Sequence, residues 1–186
     1  RQMIMKFHER GIRVVMDMVY NHMMSTVNMD NIVPGYYFRS DYLGRYTNGS
    51  GCGNELASER PMVRKFIIDS CLHWIKDYKI DGIRFDLMEL LDIDTTKEIV
   101  KKTTKLDKNF LIYGEPWKGG SSPLVNGTYK GSQKNENFSI FNDTFRDAIR
   151  GNNHPSSGFI NGNQYSSICN WSIIEGLKGS IYTITS

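Results

Sequence analysis

Two acidic residues lie in sequence surroundings that could support covalent chemistry at a sugar carbon. Arg84 and Asp86 are two residues apart at the end of a short apolar run. In a β-strand, residues two apart lie on the same face, so the guanidinium would lie beside the carboxylate and keep it ionised. An ionised, fixed aspartate can act as the nucleophile of glycoside hydrolysis.

Glu115 offers the second carboxyl group that this chemistry needs. It follows the next apolar run, in Tyr-Gly-Glu-Pro-Trp at residues 113–117. The tyrosine and Trp117 would remove water from around Glu115 and so favour its protonated form, as a general acid requires. The sequence therefore predicts Asp86 as the nucleophile and Glu115 as the acid/base.

Helix-like and strand-like patterns alternate along the residues that lead to Glu115. The helical patterns cover residues 2–9, 61–79 and 95–106, and the apolar runs typical of strands cover residues 12–19, 80–85 and 110–113. This alternation predicts an α/β fold with a parallel sheet and crossover helices. The first strand is apolar almost throughout, which predicts burial on both of its faces.

The candidate acids share one position relative to the predicted strands. Asp17 lies near the end of the first strand, Asp86 ends the second, and Glu115 follows the third. Catalytic groups at the carboxyl ends of successive parallel strands are typical of a TIM barrel. A doubly wound sheet also binds ligands there, but no glycine-rich phosphate loop follows any strand. Taken singly, each acid could instead have a structural role.

The composition narrows the possible functions. The 186 residues are 39% hydrophobic and 12% aromatic, with a net charge of +3, which indicates a globular chain. The densest lysine group fits a solvated helix face, so no nucleic-acid partner is expected. No apolar run is long enough to span a membrane, so no membrane partner is expected. Three cysteines without metal-ligand spacing indicate neither a disulfide framework nor a zinc site.

The loop after the first strand, residues 23–60, has no clear periodicity. It is rich in glycine, asparagine, serine and tyrosine. A loop of this length is either functional or a sign that an element has been missed. Its tyrosines could stack on sugar rings, and a packed surface excursion is the alternative.

Three of these motifs resemble signature regions of the α-amylase superfamily of glycoside hydrolases. They are Asp-Met-Val-Tyr-Asn-His at residues 17–22, Gly-Ile-Arg-Phe-Asp at 82–86 and Gly-Glu-Pro-Trp at 114–117. Within that superfamily, the sequence is most similar to the type I pullulanase subgroup. Residues 51–54, 59–63, 113–117, 141–143, 146–147 and 150–151 carry this likeness.

The resemblance implies a role for each candidate site residue. Asp86 would form the covalent glycosyl-enzyme, Glu115 would protonate the leaving oxygen, and Arg84 would orient Asp86. The remaining positions would bind substrate: Asp17 and His22 in the subsite before the scissile bond, Tyr20 as a stacking platform, and Trp117, Cys52 and Asn54 around the branch point. A retaining mechanism implies carboxyl groups about 5–5.5 Å apart.

The resemblance also implies a larger architecture. The chain is expected to be a partial (β/α)8 barrel, roughly strands three to six with long βα loops. On this view, residues 1–186 are a central fragment of the catalytic domain, incomplete at both ends. A family region with a histidine followed by an aspartate, the third acid, is not found, so the fragment alone is expected to be inactive. No cofactor is implied; calcium is possible, but no oxygen-ligand cluster supports it.

The implied activity is hydrolysis of α-1,6-glucosidic bonds in pullulan, starch or branched dextrins, with an α-glucan as partner. One alternative is an isoamylase-like or glycogen-debranching enzyme, and another is an α-1,4-acting amylase of the same superfamily. An alternative of another class is a catalytically idle carbohydrate-binding protein with this fold.

Overall fold

The computed structural model describes residues 1–152 and 157–180. Within the chain, residues Arg1–Ile140 and Phe141–Ser186 form two separate compact units. The predicted domain spans residues 1–186, and the structure describes it over residues 1–152 and 157–180. One of the four histidines, His154, lies outside the described residues.

A four-stranded parallel sheet forms the centre of the first unit. Its strands are β1 (Val15–Met18), β2 (Gly82–Phe85), β3 (Leu111–Gly114) and β4 (Ser139–Ile140), in the order β1-β2-β3-β4. Helices connect β1 to β2 and β2 to β3, as parallel pairing requires. The predicted α/β fold class is confirmed.

The first unit has a helix at each of the three predicted helical segments, and a further short helix lies in the loop that showed no periodicity. The helices described in the chain are α1 (Gln2–His8), α2 (Val27–Asp30, in that loop), α3 (Pro61–His73), α4 (Ile93–Leu106), α5 (Asp143–Arg150) and α6 (Ser167–Leu177). A π-helical turn, Trp74–Tyr78, extends α3, and short 3₁₀ turns occur at Met88–Leu90 and Phe159–Asn161. Pro61 begins α3, where its missing N–H costs no hydrogen bond.

The core lies between one face of the sheet and the helices. Ile83 and Phe85 of β2 are fully buried in it, together with Ile67 of α3 and Ile99 of α4. Burial of such a side chain contributes about 1.5–3 kcal/mol relative to leaving it exposed. The alternation of β2 then places Arg84 on the opposite face of the sheet.

The prediction that β1 is buried on both faces is wrong in this structure. Val15, Met16 and Met18 are only partly buried, and Asp17 is exposed. Among the residues that the structure describes, β1 lies at the edge of the sheet and pairs with β2 alone, which leaves its other side open. Met16 and Met18 pack against the core, whereas Asp17 alternates to the polar face.

The register across the sheet aligns the polar residues in one row. Asp17 lies opposite Arg84, which lies opposite Tyr113. Gly114 allows the chain to approach closely here, because a Cβ at this position would lie 2.6 Å from Met88 Sδ and 2.7 Å from the Phe85 carbonyl oxygen. This close approach brings the end of β3, and hence Glu115, towards the end of β2.

The second unit is built around α5 and α6, which pack together. The side chain of Asn142 caps α5 by accepting the Phe145 N–H at 2.9 Å. Buried Cys169 of α6 contacts the Ala148 carbonyl oxygen at 3.1 Å. The side chain of Ser166 caps α6 in the same way, because its Oγ accepts the Cys169 N–H at 3.2 Å.

Candidate active site

Three carboxylates converge on the guanidinium of Arg84. Its Nη1 lies 2.7 Å from Asp17 Oδ1 and 3.0 Å from Asp86 Oδ1, and its Nη2 lies 2.5 Å from Glu115 Oε1. Asp17 lies within β1, next to its last residue, and Asp86 and Glu115 directly follow β2 and β3, so the parallel register brings the three acids together. The structure therefore gathers Asp17, Arg84, Asp86 and Glu115 at one site, as the sequence predicted.

The charges at this site differ in exposure. The side chain of Asp17 is 68% exposed, that of Asp86 28%, and that of Glu115 15%. Partial burial alone would lower the pKa of Arg84, but its hydrogen bonds to Asp17 and Asp86 and the charge of Glu115 outweigh that effect and raise it. Arg84 is thus a fixed cation at any working pH.

Glu115 is held on its other oxygen by the backbone. Its Oε2 accepts the N–H of Leu87 at 3.0 Å. Leu87 has φ 42° and ψ 53°, a left-handed conformation that is unusual for leucine. Such strain is found preferentially where surrounding structure enforces it, often at functional sites. Glu115 therefore has two donors that the sequence analysis did not indicate, Arg84 Nη2 and the Leu87 N–H.

Asn21 is a site residue that the sequence analysis missed. It is almost fully buried, and its Nδ2 donates to both the carbonyl oxygen and Oδ2 of Asp86 at 2.9 Å. Its Oδ1 lies 2.6 Å from Nδ1 of His22. Its position in the sequence could have indicated this role, because Asn21 lies between two predicted site residues just after a strand. The contribution of Leu87 depends on backbone geometry and left no such signal.

Of the two residues beside Asn21, only one lies near the acids. His22 is half-buried and connects to Asp86 through Asn21. Tyr20 is buried instead, with its ring 6.1 Å from that of Phe85 and its hydroxyl donating to Ser70 Oγ at 2.7 Å. Burial raises the pKa of Tyr20, so its hydroxyl stays neutral. Tyr20 is therefore a core residue rather than an open stacking platform.

The predicted branch-point residues occupy different surroundings. Asn54 is buried, and its side-chain amide forms two hydrogen bonds with the backbone of Met23. Its Oδ1 accepts the Met23 N–H at 3.0 Å, and its Nδ2 donates to the Met23 carbonyl oxygen at 2.7 Å. It therefore fixes the loop after β1 and, being only 4% exposed, offers little surface to a ligand. Cys52 is exposed with a free thiol, and Trp117 is half-buried two residues after Glu115.

A second arginine organises the long loop after β1. Arg39 is buried and pairs with Glu55 and Glu59, and it also donates to Ser58 Oγ and the Leu90 carbonyl oxygen. The loop that appeared structureless in the sequence is thus folded around an ion pair. A surface cavity of about 480 Å³ borders Arg39 and does not include the Arg84 group of acids.

The described residues contain neither a candidate metal site nor a candidate membrane-spanning helix. Within residues 1–152 and 157–180, no group of three or more histidine, cysteine, aspartate or glutamate side chains could hold a metal ion. None of the helices described is both long and apolar enough to cross a bilayer.

Comparison with known proteins decides the family relationship. No family model matches the chain. It is 40% identical to pullulanase from Bacillus subtilis strain 168 over 187 residues, covering 97% of this chain and 26% of that protein. The structure of Bacillus acidopullulyticus pullulanase matches with a TM-score of 0.94 and 42% identity, over 100% of this chain and 23% of the other. The chain is a homologue of the pullulanases.

Two further matches define the extent of this relationship. The type I pullulanase of Bacillus subtilis, solved with maltose, matches with a TM-score of 0.88 and 38% identity, over 96% of this chain and 26% of that one. Isoamylase 3 of rice is 34% identical over 171 residues, 81% of this chain and 21% of the relative. The predicted resemblance to pullulanases is confirmed, and the chain spans about a quarter of the length of these relatives.

Proposed function

We propose that the protein containing this chain is a retaining glycoside hydrolase that cleaves α-1,6-glucosidic bonds in pullulan or branched dextrins. The observation that carries the proposal is the joint contact of Asp86 and Glu115 with Arg84, at 3.0 and 2.5 Å. Because both carboxyl groups are held on one guanidinium, they lie close together, as the retaining mechanism requires. Similarity to pullulanases over nearly the whole chain supports the substrate class.

In this mechanism Asp86 attacks the anomeric carbon while Glu115 gives a proton to the departing glycosidic oxygen. Glu115 then takes a proton from water, which hydrolyses the glycosyl-enzyme. Oε1 of Glu115 lies 2.5 Å from Nη2 of Arg84, so this contact must open before that oxygen can reach the glycosidic oxygen. A saccharide entering between the two side chains would supply that displacement. Asp17 and His22 would bind the sugar, and Trp117 and the exposed Cys52 would border the branch-point subsites.

We propose in addition that the chain forms the central part of a (β/α)8 catalytic domain, roughly strands three to six. The parallel order β1-β2-β3-β4 and the acids at its carboxyl edge support this arrangement. The α-glucan partner is supported by related pullulanases that were solved with maltose and maltotriose.

Product analysis with the full-length protein and pullulan tests the proposal. Maltotriose as the main product is expected, with the anomeric configuration retained in NMR spectra recorded during hydrolysis. Other oligosaccharides would indicate α-1,4 cleavage. Binding of pullulan without release of reducing sugar would favour the carbohydrate-binding alternative. In a crystal structure of the full-length protein, we expect the Asp86 and Glu115 carboxyl groups about 5–5.5 Å apart.

A further inference from the structure

A buried amide connects the candidate nucleophile to the histidine beside it. We propose that Asn21 is a positioning residue that holds Asp86 for attack and determines which ring nitrogen of His22 carries the proton. The part concerning catalysis rests on the proposed function, whereas the part concerning His22 can be tested without any activity.

The partners of Asn21 fix the orientation of its amide group. The atoms 2.9 Å away on Asp86 are its carbonyl oxygen and Oδ2, and both can only accept hydrogen bonds when the carboxylate is ionised. The amide nitrogen must therefore point towards Asp86. The opposite orientation would place three oxygen atoms together in a position that is only 1% exposed.

This orientation determines the tautomer of His22. Oδ1 of Asn21 is only an acceptor, and it lies 2.6 Å from His22 Nδ1, so Nδ1 carries the proton. In the neutral ring, Nε2 is then left as an acceptor that can receive a hydrogen bond from a sugar hydroxyl. The same amide group thus orients the nucleophile on one side and prepares His22 for the substrate on the other.

Asn21 and Arg84 together restrict the rotation of the Asp86 carboxylate. Arg84 binds Oδ1 at 3.0 Å and Asn21 binds Oδ2 at 2.9 Å, so each oxygen has a donor. Asn21 is itself anchored, because its backbone carbonyl oxygen accepts the N–H of Leu56 at 2.9 Å. Loss of the side-chain amide would therefore free the carboxylate while leaving the backbone in place.

Substitution of Asn21 separates the two roles in the full-length protein. Asn21→Asp keeps an acceptor for His22 but replaces the donor to Asp86 with a like charge. We expect kcat on pullulan to fall about 10- to 100-fold, as for loss of a hydrogen bond to a charged group, with KM changed less than about threefold. His22→Gln, the matched comparison, should mainly raise KM. An Asn21→Asp variant with kcat within about twofold of wild type would overturn the role in catalysis.

NMR of ¹⁵N-histidine-labelled full-length protein tests the second role independently of turnover. The His22 ring should be protonated at Nδ1 in the wild type and in Asn21→Asp, and should lose that preference in Asn21→Ala. An unprotonated Nδ1 in the wild type overturns the proposal even if the variants fail to fold. If the wild type hydrolyses no glucan, the proposed function fails, while the spectrum still decides the link between Asn21 and His22.

Discussion

Arg84 and Arg39 each bind more than one carboxylate, but they lie in opposite surroundings. The side chains of Arg39 and Glu55 are 3% and 0% exposed, and those of Arg84 and Asp86 are 18% and 28% exposed. Glu55 has all its near partners inside the protein: Arg39 at 2.9 Å, the Gly49 N–H at 3.2 Å and Ser122 Oγ at 2.6 Å.

The difference separates a structural ion pair from one that we propose takes part in catalysis. Around Arg39, the buried charge of Glu55 is surrounded by protein donors, so the pair of Arg39 and Glu55 fixes the loop after β1. Only the second acid, Glu59, is exposed, beside the cavity that borders Arg39. Around Arg84 the acids retain exposed surface, so a substrate can compete for them. Similar side chains therefore stabilise the fold at one place and, under the proposed function, contact the substrate at the other.

The largest effect is expected from removing the candidate nucleophile. Asp86→Asn in the full-length protein should lower kcat on pullulan by at least about 10,000-fold, because no covalent intermediate can form. Affinity for a maltooligosaccharide, measured by calorimetry, should change only a few-fold. Asp69→Asn on the exposed side of α3 is the control. Full activity of Asp86→Asn would show that the Arg84 group is a structural ion pair, as the Arg39 group is.

The next effect is on stability and concerns the buried group. Arg39→Met leaves Glu55 as an unpaired buried charge and should lower the free energy of unfolding by about 3–5 kcal/mol in urea titrations. Arg45→Met, in an exposed pair with Asp41, should cost less than about 1 kcal/mol. Equal losses for the two variants would contradict the structural role of Arg39.

A smaller loss is expected from one hydrogen bond to the buried acid. Ser122→Ala removes a donor from Glu55 and should cost about 1–3 kcal/mol of unfolding free energy, with kcat unchanged. Ser121→Ala, at an exposed neighbour, should leave both quantities unchanged. A drop in kcat without loss of stability would show that the Arg39 group takes part in the reaction.

The smallest stability effect is expected at the exposed acid of the reactive group. Asp17→Asn should change the free energy of unfolding by less than about 1 kcal/mol, since its side chain is 68% exposed. Its KM for pullulan should nevertheless rise several-fold if Asp17 binds sugar. Thermal melts and initial-rate kinetics on the same preparation measure both. An unchanged KM would remove Asp17 from the substrate site.

The sequence predicted the framework of the site because strand periodicity and chain order determine it. Arg84 and Asp86 had to share a face, and acids at the ends of successive parallel strands had to meet at one edge. The burial of Tyr20 was not predictable in the same way. A tyrosine after a strand can turn outwards or into the core, and only the position of α3, which supplies Ser70, decides between them.

The loop after β1 also has contacts that the sequence could not predict. Glycine, asparagine and tyrosine gave it the appearance of an irregular segment, yet Arg39 and Glu55 are buried partners within it. They are 16 residues apart, and no periodic pattern connects them. Asn54 was likewise predicted beside the branch point, although its amide is engaged with the backbone of Met23. Contacts of this kind arise from tertiary packing, so local pattern cannot reveal them.

The backbone turn at Leu87 has a consequence for how the two candidate catalytic acids are spaced. The residue after Asp86 supplies the amide that holds Glu115, so the main chain itself sets their separation. Engineering at position 87 should therefore tolerate side chains that accept positive φ, such as asparagine or glycine, and reject β-branched ones. Measuring kcat across a library of substitutions at position 87 would therefore show how strongly turnover depends on the separation of Asp86 and Glu115.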